Sequence, residues 1–200
     1  MSSSEFVRST ADNLRVLYED NHLIAVNKRP GDIVQADKTG DAPLSDVIRQ
    51  YIKKKYDKPG DVFLGTVHRL DRPVSGVVLY ARTSKALTRL NEMFQSKALD
   101  KTYWAIVQGK PAAKADRLVN ILIKDEAKNK SRILSKEIPG AKKAILNYKV
   151  LGFGDNYSFL EVLLETGRHH QIRVQLSSIG CVIKGDLKYG AKRSNPDGSI

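Results

Sequence analysis

Residues 62–81 read VFLGTVHRLDRPVSGVVLYA, two apolar, β-branched runs (62–67 and 77–81) that enclose the polar loop 68–76. Runs of this composition predict strands. A loop pinned between two strands presents its side chains on a rigid base, and functional groups collect on such loops. Within it Asp71 stands between Arg69 and Arg72. Neighbouring positive charge favours the ionised carboxylate, so Asp71 has the character of a nucleophile or base. The same spacing also suits a turn or a structural ion pair.

Outward from this segment the periodicities alternate. Residues 14–18 and 23–27 predict two short strands around Glu19-Asp20-Asn21. Asp41 is placed to cap a helix over 43–56, whose apolar positions Leu44, Val47, Ile48, Tyr51 and Ile52 recur at helical spacing. Its other face carries Arg49, Lys53, Lys54 and Lys55, read as a solvated surface. Thr83 caps a second helix with Leu87, Leu90 and Phe94 inward. Residues 101–108, 117–123, 144–151 and 159–164 predict further strands, and the basic stretch 124–143 an exposed hairpin or loop. Ile172, Leu176 and Ile179 mark a helix over 169–179, which Gly180 is placed to end. Many strands with a few interspersed helices predict an α+β fold, with a mixed, largely antiparallel central sheet and flanking helices and loops. Residues 1–13 are expected to form a flexible end, and 14–200 one domain.

Composition narrows the function classes. The chain has 200 residues, 41% hydrophobic and 28% charged, within the globular range. A single cysteine, Cys181, excludes an internal disulfide framework and suits a reducing cytoplasm. No apolar run is long enough to cross a bilayer, so no membrane partner is expected. Lys and Arg total 34 against 22 Asp and Glu, a formal charge of +12 that favours a polyanionic partner. Residues 1–100 hold 16 basic and 13 acidic side chains, and residues 101–200 hold 18 and 9, so the excess is spread through folded-looking sequence. Glycine-rich dinucleotide and phosphate loops and the His-Glu-x-x-His pair are all missing. His22, His68, His169 and His170 lack metal-ligand spacing, so no metal site is expected. Ser75 does not sit in a nucleophile elbow.

Five segments taken together carry more. VLYEDNHLIAVNKRPG (16–31), HRLDRPVSG (68–76), KTYWAIVQG (101–109), ETGRHHQIRVQL (165–176) and GDLKYG (185–190) resemble, in order, the RluA-type RNA pseudouridine synthases. The resemblance implies that 14–200 is a pseudouridine synthase catalytic domain lacking its last strands. It implies conversion of specific uridines in transfer or ribosomal RNA to the carbon-linked isomer, by a cytoplasmic monomer without cofactor. It makes Asp71 the catalytic residue, sets Tyr103 against the target base, pairs Arg173 with the catalytic carboxylate, and gives Arg69 a part in displacing the nucleotide. Arg168 and His170 are then expected at the substrate, with Lys130, Arg132, Lys142 and Lys143 as further phosphate contacts. Ile183 is either an apolar wall of the pocket or core packing.

The residue types suit that chemistry. No water enters the isomerisation, so one carboxylate can suffice where glycoside hydrolysis generally uses two. The base must leave its stack to be reached, and an aromatic ring holding it contributes roughly 1–3 kcal/mol. The chain departs from the family pattern at Val74 (usually Thr), at His169 (usually Thr or Ser) and at Arg29, which precedes Pro30. Two other functions fit less of the sequence: a catalytically silent RNA-binding or RNA-remodelling module, and a glycosidase of free nucleosides.

Overall fold

The computed structural model describes residues 7–37 and 40–200. Residues 14–200, expected as one domain, divide into two compact units. The first runs to Leu99 and takes in Pro196–Ser199; the second spans Asp100–Asn195 with Ile200. Each is α+β, and in each every described strand pairing is antiparallel, so the expected central sheet is two sheets.

The first unit contains β1 (Val16–Glu19), β2 (Leu23–Lys28), α1 (Leu44–Lys55), β3 (Gly65–Thr66), β4 (Gly76–Ala81) and α2 (Ser84–Gln95), with sheet order β1-β2-β4-β3. Alternation along β2 turns Ile24, Val26 and Lys28 to one face. There Ile24 and Val26 pack with Val78 and Tyr80 of β4 and with Leu44, Ile48 and Ile52 of α1. Leu23, Leu79 and Ala81 have the opposite parity and meet Ala86, Leu87 and Leu90 of α2. One helix therefore covers each face. Thr83 caps α2 as expected, its Oγ1 accepting from Ala86 N at 3.2 Å.

Two local expectations change. Asp41 does not cap α1; Pro43 holds that position, and the Asp41 carboxylate binds Arg8 and Arg72, each at 2.7 Å. Two charge-assisted bonds outweigh one bond to a helix N–H. The run 62–67 pairs only at Gly65–Thr66, while Val62 packs against the core from a loop. Of residues 1–13, expected as a flexible end, 1–6 lie outside the described residues, while Ser9 is buried and donates through N and Oγ to the Asp32 carboxylate at 3.0 and 2.7 Å. The basic face of α1 is partly paired, Lys54 with Asp12 and Lys55 with Glu19.

The second unit contains β5 (Thr102–Gln108), β6 (Ala115–Asp125), β7 (Lys130–Leu134), β8 (Lys142–Phe153), β9 (Tyr157–Leu164), α3 (Gln171–Ser178) and the short 3-10 turn Leu187–Tyr189, with sheet order β5-β9-β8-β6-β7. The basic stretch 124–143 is an exposed hairpin: β6 and β7 pair through it and β8 begins within it. Val107, Leu146, Leu160 and Val162 line one sheet face and pack with Leu176 of α3. The opposite face leaves Trp104 74% exposed, next to Ile106 and the partly buried Phe159. Gly180 ends α3 as expected: at φ 77° it donates to Ser177 O, and Cys181 N returns to Leu176 O, the paired bonds of a Schellman cap.

Candidate active site

In the first unit, parity along β2 decides how the 68–76 loop is held. Lys28 shares the core face with Ile24 and Val26 and is fully buried. Its stem is packed, and its ammonium reaches the carbonyls of Arg29 (3.0 Å), Arg72 (3.0 Å) and Val74 (2.6 Å). Burial pushes the Lys28 pKa down from 10.5 to about 8, against the attraction of Asp32 and Asp71 and with the repulsion of Arg72. Gly31 N adds a bond to Arg72 O at 2.9 Å, and Val74 N closes a turn onto Asp71 O at 3.0 Å. Arg72 is tied outward to Asp41 at 2.7 Å.

His68, at the start of the loop, accepts from Leu79 N at 3.0 Å and stacks on Phe94 of α2 with centroids 5.3 Å apart. Asp71 is half-buried at the centre of this clamp, and Arg69 is exposed. The departure at Val74 leaves the clamp intact, because Lys28 uses its carbonyl and not its side chain.

In the second unit, β5 carries Tyr103, half-buried against the core around Ala105 and Val107. Arg173 lies on α3 and is buried at 8% exposure, unlike a surface helix arginine. Asp186, 1% exposed, accepts from its Nε and Nη2 at 2.7 Å each. The Tyr189 ring covers the guanidinium, its centroid 5.1 Å from Cζ. Tyr189 also ties three elements together through its hydroxyl. It accepts from Ser131 N (2.8 Å), donates to Ser131 O (3.1 Å), and lies 3.0 Å from Nδ1 of His170.

His170, expected at the substrate, is 8% exposed and occupies the N-cap position of α3 with a left-handed φ of 52°. Burial, with the nearby charges of Arg173, His169 and Lys188, lowers its pKa from 6.5 to about 3, so it is neutral at physiological pH. The buried ring meets the Tyr189 ring edge-on, with centroids 5.5 Å apart. His169 stacks on it at 3.8 Å and bonds Ser131 Oγ at 2.9 Å, which absorbs that departure from the family pattern. Arg168 is exposed, its Nε donating to Lys143 O at 3.0 Å. Ile183 is core, 8% exposed and bridged to Val107. Of the further phosphate candidates, Arg132, Lys142 and Lys143 are exposed, and Lys130 lies 4.9 Å over the Tyr189 ring.

The structure therefore gathers Arg173, Asp186, Tyr189, His170, His169 and Ser131 in one unit, and Asp71 with Lys28, His68 and Arg72 in the other. Lys28, Asp186, Tyr189 and Ser131 had no assigned role in the sequence reading. The alternating parity of β2 is the signal that points Lys28 inward. Among the described residues no group of three His, Cys, Asp or Glu side chains is arranged to hold a metal ion. No described helix is long and apolar enough to cross a membrane.

Comparison with known proteins agrees on the class. An RNA pseudouridine synthase of Bacillus subtilis, not itself characterised, is 33% identical over 180 residues, covering 88% of this chain and 58% of that protein. Ribosomal large subunit pseudouridine synthase C of Rickettsia felis is 35% identical over 182 residues, covering 90% and 57%. The tRNA pseudouridine synthase C of Pectobacterium carotovorum is 32% identical, covering 91% and 50%. The chain thus spans about half or a little more of these relatives. Among solved structures, human RNA pseudouridylate synthase domain containing 4 superposes with a TM-score of 0.75 at 27% identity, covering 88% of this chain and 68% of that one. The domain containing 1 protein, at 22% identity and a TM-score of 0.74, shares the fold. The model of the family described as RNA pseudouridylate synthase matches residues 22–178, and the chain belongs to that family.

Proposed function

We propose that this chain isomerises uridine to pseudouridine in ribosomal or transfer RNA, with Asp71 as its catalytic carboxylate. The observation that carries this reading is the match of residues 22–178 to the family, with Asp71 inside it on a loop clamped from beneath by a buried lysine. A reacting carboxylate has to be held in place by its support, and Lys28 provides that support through the backbone on both sides of Pro73.

The reaction breaks the bond from C1′ to uracil N1, turns the base, and joins C1′ to C5. N1 gains a proton and C5 loses one, so nothing is oxidised and no water is consumed. Tyr103 holds the detached base by stacking. Arg173 is assigned the part of the cation that serves the reacting carboxylate. Arg69, exposed beside Asp71, helps displace the nucleotide from its stack. Arg168, Arg132, Lys142 and Lys143 supply phosphate contacts that orient the RNA without reading its sequence. The setting is the cytoplasm, where unmodified RNA is met.

The test is release of tritium from RNA labelled at uracil C5. The wild-type chain releases it, and Asp71→Asn releases none while still binding RNA in a filter assay. Equal release by the variant overturns the assignment of Asp71. Binding by the wild-type chain without release or isomer in the digested RNA makes it an RNA-binding module instead. Free uracil as product makes it a glycosidase.

A further inference from the structure

We infer that one face of the second unit's sheet, centred on Trp104, is a binding surface for single-stranded RNA, on the side of the sheet turned away from Tyr103. Side chains alternate along a strand, so Trp104 and Ile106 leave β5 opposite to Tyr103, Ala105 and Val107. The Tyr103 side is core, and α3 packs on it through Leu176. On the other side Trp104, Ile106 and Leu163 are exposed, and the register sets Phe159 across from Ile106 and Leu163 across from Thr102. Phe159 meets the Trp104 ring edge-on, with centroids 5.7 Å apart and planes at 71°. The indole is thus braced at one edge and stands in solvent.

Single exposed apolar side chains need no explanation, but a contiguous patch on one sheet face marks a binding surface. Its charged neighbours say what it binds. Lys184 is exposed and lies 5.2 Å from the ring centroid of Tyr157, two residues before Phe159 on β9. Lys149 of β8 is exposed and stands across from Glu161, which stands across from Trp104. Aromatic rings on which bases stack, flanked by cations that meet the backbone, are what single-stranded nucleic acid requires. Sheets that present exposed aromatic side chains bind RNA bases in this way.

Charge favours RNA over a second copy of the chain. With a formal charge of +12, another copy would bring like charge against Lys149 and Lys184, whereas a polyanion complements them. The chain belongs to a family that works on RNA, so RNA is the polyanion it meets. Glu161, beside the indole, accepts from the exocyclic amino group of a stacked adenine or cytosine. The surface goes beyond the isomerase reading: Tyr103 serves the reacting base on one side of the sheet, and Trp104 holds another stretch of RNA on the other.

Trp104 is the only tryptophan in the sequence, so its emission reports on this face directly. The full chain is titrated with a single-stranded oligoadenylate of about eight nucleotides, which offers no uridine to isomerise. Binding is expected to quench the emission and to weaken as salt rises. By anisotropy of the labelled oligonucleotide, Trp104→Ala raises Kd about 5- to 150-fold, the loss of one stacked base, and Trp104→Phe recovers part of it. Lys149→Glu combined with Lys184→Glu also raises Kd and leaves the indole in place, so it decides the question if thermal melting shows that Trp104→Ala does not fold. Absence of binding, binding without quenching, or an unchanged Kd in these variants overturns the inference. So does a dimer in sedimentation that Trp104→Ala dissolves, which gives the face to a second copy. Tritium release stays a separate measurement. A chain that isomerises uridine without any change in Trp104 emission overturns this inference alone, and a chain that is quenched without releasing tritium upholds it while the isomerase reading fails.

Discussion

The ammonium of Lys28, on β2, donates to the carbonyl of Val74 at 2.6 Å, 46 residues along the chain. With its bonds to Arg29 O and Arg72 O it joins two loops from inside the core. When the cation is removed, Arg72 O keeps Gly31 N and Arg29 O keeps Asp32 N, while Val74 O loses its 2.6 Å donor inside the core. Lys28→Met keeps the apolar stem and is expected to cost about 2 kcal/mol, the scale of a buried unsatisfied acceptor. Faster amide exchange at Gly31 and Val74, whose N–H groups close the same loops, should accompany that loss. Urea denaturation and hydrogen exchange check both, and unchanged exchange at these amides would show that the loop stands without the lysine.

Tyr189→Phe isolates the other clamp. The hydroxyl serves both the N–H and the carbonyl of Ser131 and meets His170. Its loss leaves buried polar groups without partners at about 1–3 kcal/mol, while the ring stays over Arg173. The expected result is a lower urea midpoint with the m-value unchanged. Amide exchange should rise at Ser131 on β7 before it rises in β8 or β9. Loss spread evenly over the unit contradicts a local role.

Gly180→Ala tests the end of α3. Nothing lies within 4 Å of an added Cβ, so crowding contributes nothing and only the backbone at φ 77° resists the substitution. A left-handed residue with a side chain costs roughly 1–2 kcal/mol. Gly180→Asn, which tolerates that conformation better, should cost less. Equal losses from the two variants, measured by thermal melting, would contradict this account.

How far the chain was legible follows from the range of the interactions. Helix and strand periods are local, so α1, α2, the long strands and the Gly180 stop could be read directly, and Thr83 sits where a cap was expected. Asp41 satisfied the same local rule but lies within reach of Arg8 and Arg72, neither of which neighbours it in sequence. The run 62–67 has strand composition, yet it pairs only where β4 offers partners at Ala81 and Tyr80. The proposed residues Asp71, Tyr103 and Arg173 could be named from motif segments. The groups that hold the site could not be, since Lys28 reaches Val74 and Tyr189 reaches Ser131 only through the fold. His170, named as a substrate contact from the motif, is buried at the N-cap position of α3, which its sequence neighbours do not reveal.

His170 should also make the fold sensitive to acid. Its pKa is lowered to about 3 in the folded chain from an ordinary 6.5, by burial first and by Arg173 and His169 next. Between these two values the unfolded chain binds a proton that the folded chain does not, so stability falls as the pH drops below about 6.5 and His170 adds no pH dependence above it. At pH 4.5 the expected loss from this one group is about 2.5 kcal/mol relative to pH 7. His170→Asn removes the titrating ring and suits the left-handed backbone at this position. Between pH 7 and 4.5 the wild-type chain should therefore lose about 2.5 kcal/mol more than the variant by urea denaturation. Carboxylates titrate in both proteins and cancel in the difference. If both lose the same amount, the buried ring is protonated without cost, and the packing of His170 between His169 and Tyr189 does not exclude its charge.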